Sequence, residues 1–294
     1  MFSLDDYWTL RKTAAVVRRS DRGVIAVTGR DRATWLQGLL TNDVLALQEG
    51  QSCYSTYLTP QGRMITDMHV LALADRIWLD VPAPLAAALR DRLDGLIFAE
   101  DAQVIDESES IDVWGVYGPE WVQWFEGSQV QGFEDEVQGF RFYLNAGDPL
   151  PPEIRELPQA SLETLDVLRI EAGVPKFLVD MNEDTIPLEA GIEERAISFT
   201  KGCYVGQEVI IRVTHRGGGR VAKRLVRWKD SSHTVAAGAA IQSGDRAIGR
   251  VTSAVFSPAQ DALIGLGYVH RDFVESGTAI TVGGADGSFD ATIV

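Results

Sequence analysis

Apolar positions along this chain change period several times, and each change marks an element. Val24 to Val27 is a short unbroken apolar run, the first element the pattern predicts, and it reads as a buried strand. Ala33, Leu36, Leu40 and Val44 then recur at helical spacing, with Asp31 placed to cap that helix and Thr41-Asn42-Asp43 to end it. Two strand-like runs flank Pro60-Gln61-Gly62, which predicts a hairpin. Ile77 to Val81 is another strand, and Pro84 to Leu93 a helix with proline in its first turn. Val113 to Tyr117 is strand-like and leads through Gly118-Pro119 into a short helix whose Trp121, Trp124 and Phe125 read as core or domain interface. Glu126 to Val137, rich in glycine and acids, reads as a loop, and the proline-rich stretch Asn145 to Pro158 as a connector. Ser161 caps a helix whose stripe is Leu162, Leu165, Leu168 and Ala172, stopped by Gly173 and Pro175.

Beyond about Arg220 the chain changes character. Lys223 to Trp228, Ala247 to Phe256, Leu263 to Val269, Thr278 to Val282 and Phe289 to Val294 are strand candidates. Turns of the type S-G-D, S-P-A-Q-D and G-G-A-D-G separate them, so the tail reads as a small antiparallel barrel or sandwich.

Length and charge narrow the picture further. At 294 residues the chain calls for two or three domains. No apolar run is long enough to span a bilayer, and the opening M-F-S-L-D-D-Y-W lacks a basic-then-apolar signal pattern, so a cytoplasmic protein without membrane contact is expected. A net charge of −15 argues against general affinity for nucleic acid. The charge is uneven: Glu100 to Ala160 holds fourteen acids and two bases, whereas Thr200 to Asp230 holds eight bases and two acids. The second block suits an anionic ligand, and it leaves tRNA binding as a minor alternative. Cys53 and Cys203 are far apart and have no metal-ligand spacing, so no metal site and no disulfide is expected. Cys53 reads as a small core residue. Cys203, framed by glycine and tyrosine and preceded by Lys201, is a candidate reactive thiol, with plain packing as the alternative.

The densest chemistry lies in K-G-C-Y-V-G-Q-E, Lys201 to Glu208. Its two glycines, Gly202 and Gly206, read as close-approach or positive-φ positions. Upstream stands R-I-E-A-G, Arg169 to Gly173, near a helix end. A carboxylate there can take two parallel N–H donors from a planar heterocycle, by the geometry of an Arg–carboxylate fork, although an exposed helix glutamate is the plainer alternative for Glu171.

With A-I-S-F-T-K (Ala196 to Lys201), L-Q-G-L-L-T-N-D-V (Leu36 to Val44), Y-L-T-P-Q-G-R-M-I-T-D (Tyr57 to Asp67), Arg212, Arg216-Gly217 and V-T-S-A-V-F-S-P (Val251 to Pro258), these motifs make the chain resemble the YgfZ-type folate-binding proteins, relatives of the glycine-cleavage T-protein. The resemblance covers almost the whole chain. It implies an α+β, T-protein-like multi-domain arrangement around a central folate pocket, with residues 1–220 forming the folate-binding region and 221–294 a C-terminal antiparallel β-barrel. It implies tetrahydrofolate or a folate derivative as cofactor, and Glu171, Arg169, Lys201, Tyr204, Arg212 and Asp67 as the residues around it. It further implies an accessory role in iron–sulfur cluster assembly or repair, and thereby in tRNA modification, with iron–sulfur proteins or assembly factors as partners. The alternative is a tetrahydrofolate-dependent aminomethyltransferase or demethylase. Members that transfer aminomethyl groups carry an acid pair after the glycine turn; here the first of the pair is Thr66 and only Asp67 remains, which favours the accessory role at this level of reading.

Overall fold

The computed structural model describes residues 1–125, 130–216, 218–230, 234–284 and 287–294, with Arg216 described in its backbone only. Contacts divide the chain into two compact units: Met1–Pro60, Met64–Leu165 and Glu194–Gln207 form one, and Gln61–Arg63, Asp166–Glu193 and Glu208–Val294 the other.

The first unit opens with α1 (Leu4–Lys12), an element the period analysis missed. Ser3 Oγ accepts from Asp6 N at 3.2 Å, acids fill the first turn and bases the last, as the helix dipole favours. Two antiparallel sheets follow. β1 (Ala15–Arg18) precedes β2 (Arg22–Thr28), α2 (Arg32–Leu39), β3 (Ser52–Leu58), β4 (Met64–Ala72), β5 (Arg76–Pro82), α3 (Ala86–Asp94) and β6 (Gln103–Asp106). Then come β7 (Ile111–Tyr117), β8 (Gly132–Asp135) and β9 (Gly139–Asn145). One sheet has the order β3-β4-β5-β2-β6, the other β1-β7-β9-β8.

The unbroken apolar run in β2 has a physical cause: both of its faces are covered. Ile25 and Val27 pack with α2 and α3 in one core, while Val24 meets Leu71, Val113, Phe133 and Tyr143 between the two sheets. Trp121, Trp124 and Phe125 are half-buried and pack against the cluster of Val116, Phe142 and Ile154, the Trp121 and Phe140 rings stacking at 5.8 Å. β8 corrects the reading of Glu126 to Val137 as loop: Phe133 and Asp135 point inward and pair along β9, an alternation disguised because one inward position holds an acid. Residues 126–129 of that stretch lie outside the described residues.

The second unit takes most of α4 (Leu162–Ala172), α5 (Pro187–Ala190) and a closed barrel. Short α6 (Glu193–Ala196) and α7 (Gln207–Ile211) span the boundaries between the units in sequence, and a π-turn covers Arg212–Arg216. The barrel strands are β10 (Lys223–Asp230), β11 (Ala240–Ser243), β12 (Arg246–Ser257), β13 (Ala262–His270), β14 (Ala279–Gly284) and β15 (Gly287–Ile293), in the order β10-β13-β12-β11-β14-β15. The α+β class and the antiparallel barrel expected from sequence are therefore present. β11 was not foreseen, because four residues give too short an alternation to register. Trp228 fills the barrel with Ile241, Val251, Ile280, Val282 and Ile293, and Gly265 makes room for it: a Cβ there would sit 2.4 Å from Trp228 Cζ2. The G-G-A-D-G turn contains residues 285–286, outside those described. Among the described residues no helix is long and apolar enough to cross a membrane.

Candidate functional site

β4 presents Thr66 and Asp67 to opposite faces, as strand pleating requires. Thr66 is fully buried on the helix-covered side, where with Ile65, Leu85, Ala88, Leu89 and Arg92 it lines a cavity of about 180 Å³. Its hydroxyl donates to the Asp67 carbonyl at 2.9 Å. Asp67 faces the other way. Tyr54 Oη donates to its Oδ2 at 2.8 Å, and its Oδ1 is buried with no hydrogen-bond partner among the described residues. Thr66 is thus committed to packing against α3, and the acid with an unspent oxygen is Asp67.

Asp67 belongs to a polar layer between the two sheets of the first unit. The His69 ring lies 5.1 Å from that of Tyr54 and stacks on Phe133 at 4.4 Å; its Nε2 is 3.2 Å from Glu136 Oε1. Arg195 reaches the same Glu136 oxygen at 3.0 Å and covers the Tyr54 ring at 4.6 Å. Deeper in, Asp135 Oδ2 accepts from Arg141 Nη2 at 2.7 Å, Arg19 Nη1 at 3.0 Å and Tyr117 Oη at 2.6 Å. Asp80 accepts from Arg22, Arg141 and Tyr143. Burial alone would raise both carboxyls, but the arginines outweigh it and hold them below the ordinary carboxylate range. His69, Asp135 and Glu136 place three ligand-type atoms within 4.8 Å of one another. Asp135 is nevertheless saturated by N–H and O–H donors and flanked by guanidinium groups, so arginine already occupies the role a metal ion would fill.

The K-G-C-Y-V-G-Q-E loop and the L-Q-G-L-L-T-N-D-V segment, separate in sequence, are fastened together in the first unit. Lys201 Nζ donates to the carbonyls of Gln37, Leu40 and Asn42 at 2.7, 2.7 and 2.9 Å. Thr41 Oγ1 donates to Ala196 O at 2.6 Å, and Asn42 Nδ2 to Arg195 O at 2.9 Å. Lys201, expected to offer charge to a ligand, instead caps the end of α2. Gly206 has φ +83°, as expected, while Gly202 shows no positive φ and a Cβ there would meet open space. Cys203 is exposed. Tyr204 is buried, its hydroxyl has no partner among the described residues, and burial pushes its phenol up to about 12. Cys53 is half-buried rather than fully buried, and desolvation pushes its thiol up to about 12, so it is inert.

The other expected residues lie in the second unit. Arg169 is buried and its guanidinium is fully engaged, by Asp180 at 2.6 Å, Asp166 at 2.6 Å, the Val174 carbonyl at 2.8 Å and Ser253 Oγ at 3.2 Å. It fixes the end of α4 to the barrel and leaves no donor for a ligand. Glu171 is half-buried, and its Oε1 accepts from Ser257 Oγ at 2.5 Å. Gly173 ends the helix at φ +74°, where a Cβ would stand 2.8 Å from Arg227 Cδ. Arg212 is exposed on its π-turn; Gly217 of the R-G pair lies outside the described residues. Sequence reasoning missed Tyr54, Asp180, Ser253 and Ser257. The two serines carried a signal, since both stand in the V-T-S-A-V-F-S-P motif at even spacing, on one face of β12.

This architecture has known relatives. The GCVT N-terminal domain matches residues 2–143, and the glycine cleavage T-protein C-terminal barrel domain matches residues 223–294. An aminomethyltransferase of Corynebacterium jeikeium is 25% identical over 94% of this chain and 84% of its own length. One from Caldanaerobacter subterraneus is 26% identical over 95% and 83%, and a chloroplastic putative transferase of Arabidopsis thaliana is 26% identical over 91% and 68%. The crystal structure of the glycine cleavage system aminomethyltransferase T from Bartonella henselae superposes with a TM-score of 0.87 at 22% identity, covering 99% of this chain and 87% of that one, a likeness of fold. Carrying both domains in order and the barrel closed as six antiparallel strands, the chain belongs to the glycine-cleavage T-protein superfamily.

Proposed function

We infer that this protein binds a reduced folate and acts in tetrahydrofolate-dependent one-carbon transfer, as an aminomethyltransferase or a related demethylase. One observation carries the reading: Asp67 Oδ1 is buried without a donor, while Tyr54 holds the other oxygen in place. A buried carboxylate oxygen left in that state is costly unless a ligand brings it an N–H or a proton, and a folate amine is such a ligand. Bound tetrahydrofolate would supply the amine that takes up the one-carbon unit. In the first unit Asp67 would hold or move the proton at that amine; in the second, Glu171 carries the carboxylate that the family resemblance pairs with the forked N–H donors of the pterin. Tyr204 offers a further unspent hydroxyl, and exposed Arg212 suits an anionic tail. Arg169 and Lys201 act as positioning residues, holding α4 and the 198–206 loop. In this reading residues 1–220 make up the folate-binding region and 221–294 the barrel domain, in a cytoplasmic protein. The relatives named aminomethyltransferase support it.

The test is calorimetric titration with tetrahydrofolate, paired with an assay for methylene-tetrahydrofolate formed from an aminomethyl donor. Glu171→Ala should abolish binding, while Asp67→Asn should retain binding and lose turnover. A wild-type protein that takes up no tetrahydrofolate would end the proposal.

A second reading rests on Cys203, exposed within the K-G-C-Y-V-G-Q-E loop. It is the YgfZ-type role in iron–sulfur cluster assembly or repair, and thereby in tRNA modification, with the thiol acting transiently toward a partner protein. Cys203→Ala should then fail to complement a deletion strain while folate affinity stays unchanged. Full complementation would remove this reading.

A further inference from the structure

The second unit holds a pocket of about 170 Å³ whose residues the folate reading does not use. Barrel strands β10, β12 and β13 supply Lys223, Arg250 and Tyr268 to it, and Val179, Ala237 and Val251 give it an apolar wall.

The donors of this pocket are weakly engaged. Tyr268 is 5% exposed, and its buried hydroxyl has no hydrogen-bond partner among the described residues. The adjacent Thr185 hydroxyl is turned to Asn182 Oδ1 at 3.3 Å. A buried phenol in that state is costly unless an acceptor arrives. Lys223 Nζ stands 4.8 Å from the Tyr268 ring centroid, and its ion pair with Glu189 is long, 3.8 Å. Arg250 is exposed and has no ion pair among the described residues.

The acceptors, by contrast, are used up. Asp180 also lines the pocket, but Thr252 Oγ1, Ser253 Oγ, Arg169 Nη1 and Lys176 N all donate to it, so its charge is neutralised from behind. Burial disfavours the charged form of Glu189, which further reduces opposition to an anion. An O–H, an ammonium and a guanidinium line the pocket, and the one carboxylate among its lining residues, Asp180, is engaged from behind; that set favours an oxyanion. The three aliphatic side chains favour one that carries a short carbon chain over a bare, fully hydrated one.

We propose that this pocket binds a short-chain carboxylate, its oxygens on Tyr268, Lys223 and Arg250 and its carbon chain against Val179, Ala237 and Val251. The site is independent of the folate reading.

Butyrate and inorganic phosphate are the probes, titrated separately by calorimetry at constant ionic strength into the full-length chain. Butyrate is expected to bind saturably at one site and more tightly than phosphate. Tyr268→Phe and Arg250→Gln should each weaken butyrate about tenfold, the loss of one charge-assisted hydrogen bond. Tyr268→Phe removes a hydroxyl that has no partner, so its melting temperature should equal or exceed wild type, and this confirms that the variant is folded. No saturable butyrate binding, equal or tighter phosphate binding, or unchanged butyrate affinity in both variants would each overturn the proposal.

Discussion

Ser257 Oγ donates to Glu171 Oε1 at 2.5 Å, so the acid at the end of α4 is oriented by the last residue of β12. Ser257 is fully buried, and a hydroxyl–carboxylate bond of this length is charge-assisted. Its value for binding is pre-organisation: the carboxylate is held in one rotamer, so less entropy is lost when a ligand arrives. Ser257→Ala should therefore weaken tetrahydrofolate about five- to tenfold, a net hydrogen bond of about 1 kcal/mol. Calorimetric titration of the variant beside Glu171→Gln checks this; equal affinities for Ser257→Ala and wild type would show that the bond orients nothing.

Asp67 should be a site where stability and function oppose each other. The native carboxylate is buried with one oxygen unsatisfied, and Tyr54 is the donor that holds the other. Asp67→Asn keeps a carbonyl oxygen for Tyr54 and removes the buried charge. Folding stability in urea should not fall, and should rise by up to about 1 kcal/mol, while folate-dependent turnover is lost. Tyr54→Phe goes the opposite way, because it leaves both oxygens of Asp67 without a donor; about 1–3 kcal/mol of stability should disappear.

Much of this arrangement was legible in the sequence where one physical signal acts alone. The apolar run at Val24 to Val27, the Ser161 cap with its bond to Thr164 N at 3.2 Å, and the strands at β12 and β13 all appear as read. The spacing of Thr66 and Asp67 gave opposite faces but not which face meets the polar layer, because that depends on what covers each side of the sheet. β1, β6, β8 and β9 were missed because their stability comes from pairing with distant strands. Asp135 and Arg141 in β8 and β9 even look like surface residues until each becomes the other's partner. Of the stripe read along α4, Leu165 and Leu168 are buried, Leu162 is half-buried and Ala172 is exposed, whereas Val167, Arg169 and Ile170, off that stripe, are buried.

The layer around Arg141 predicts the acid behaviour of the protein. Asp80 and Asp135 are held below their ordinary range, so the unfolded chain binds protons on them before the folded chain does. Their contribution is therefore complete above the unfolded carboxylate value of about 3.9 and is lost as pH falls below it. Melting temperature should hold on the acid side down to about pH 4 and then drop steeply. Arg141→Met strands two buried carboxylates; it should cost about 3–5 kcal/mol at neutral pH and flatten the acid limb. A variant whose melting temperature falls in parallel with wild type between pH 5 and 2 would show that these pairs do not govern it.

Lys201 tests whether the densest motif of the chain is ligand chemistry or scaffolding. Three carbonyl oxygens, of Gln37, Leu40 and Asn42, converge on one ammonium whose three N–H bonds diverge to match them. Two of those carbonyls lie at the end of α2, where the helix leaves them without an internal donor. Lys201→Met should remove about 2–4 kcal/mol of stability, taking each charged hydrogen bond near its usual net worth and allowing water to recover part. Lys201→Arg should not rescue it, since a planar fork cannot aim three N–H groups at this triangle. A residue serving only as charge for an anionic ligand would behave differently: arginine would restore folate affinity, and methionine would leave urea denaturation unchanged. Denaturation curves and folate titrations of the two variants separate the cases, and the three short bonds predict that both substitutions register first as a loss of fold stability.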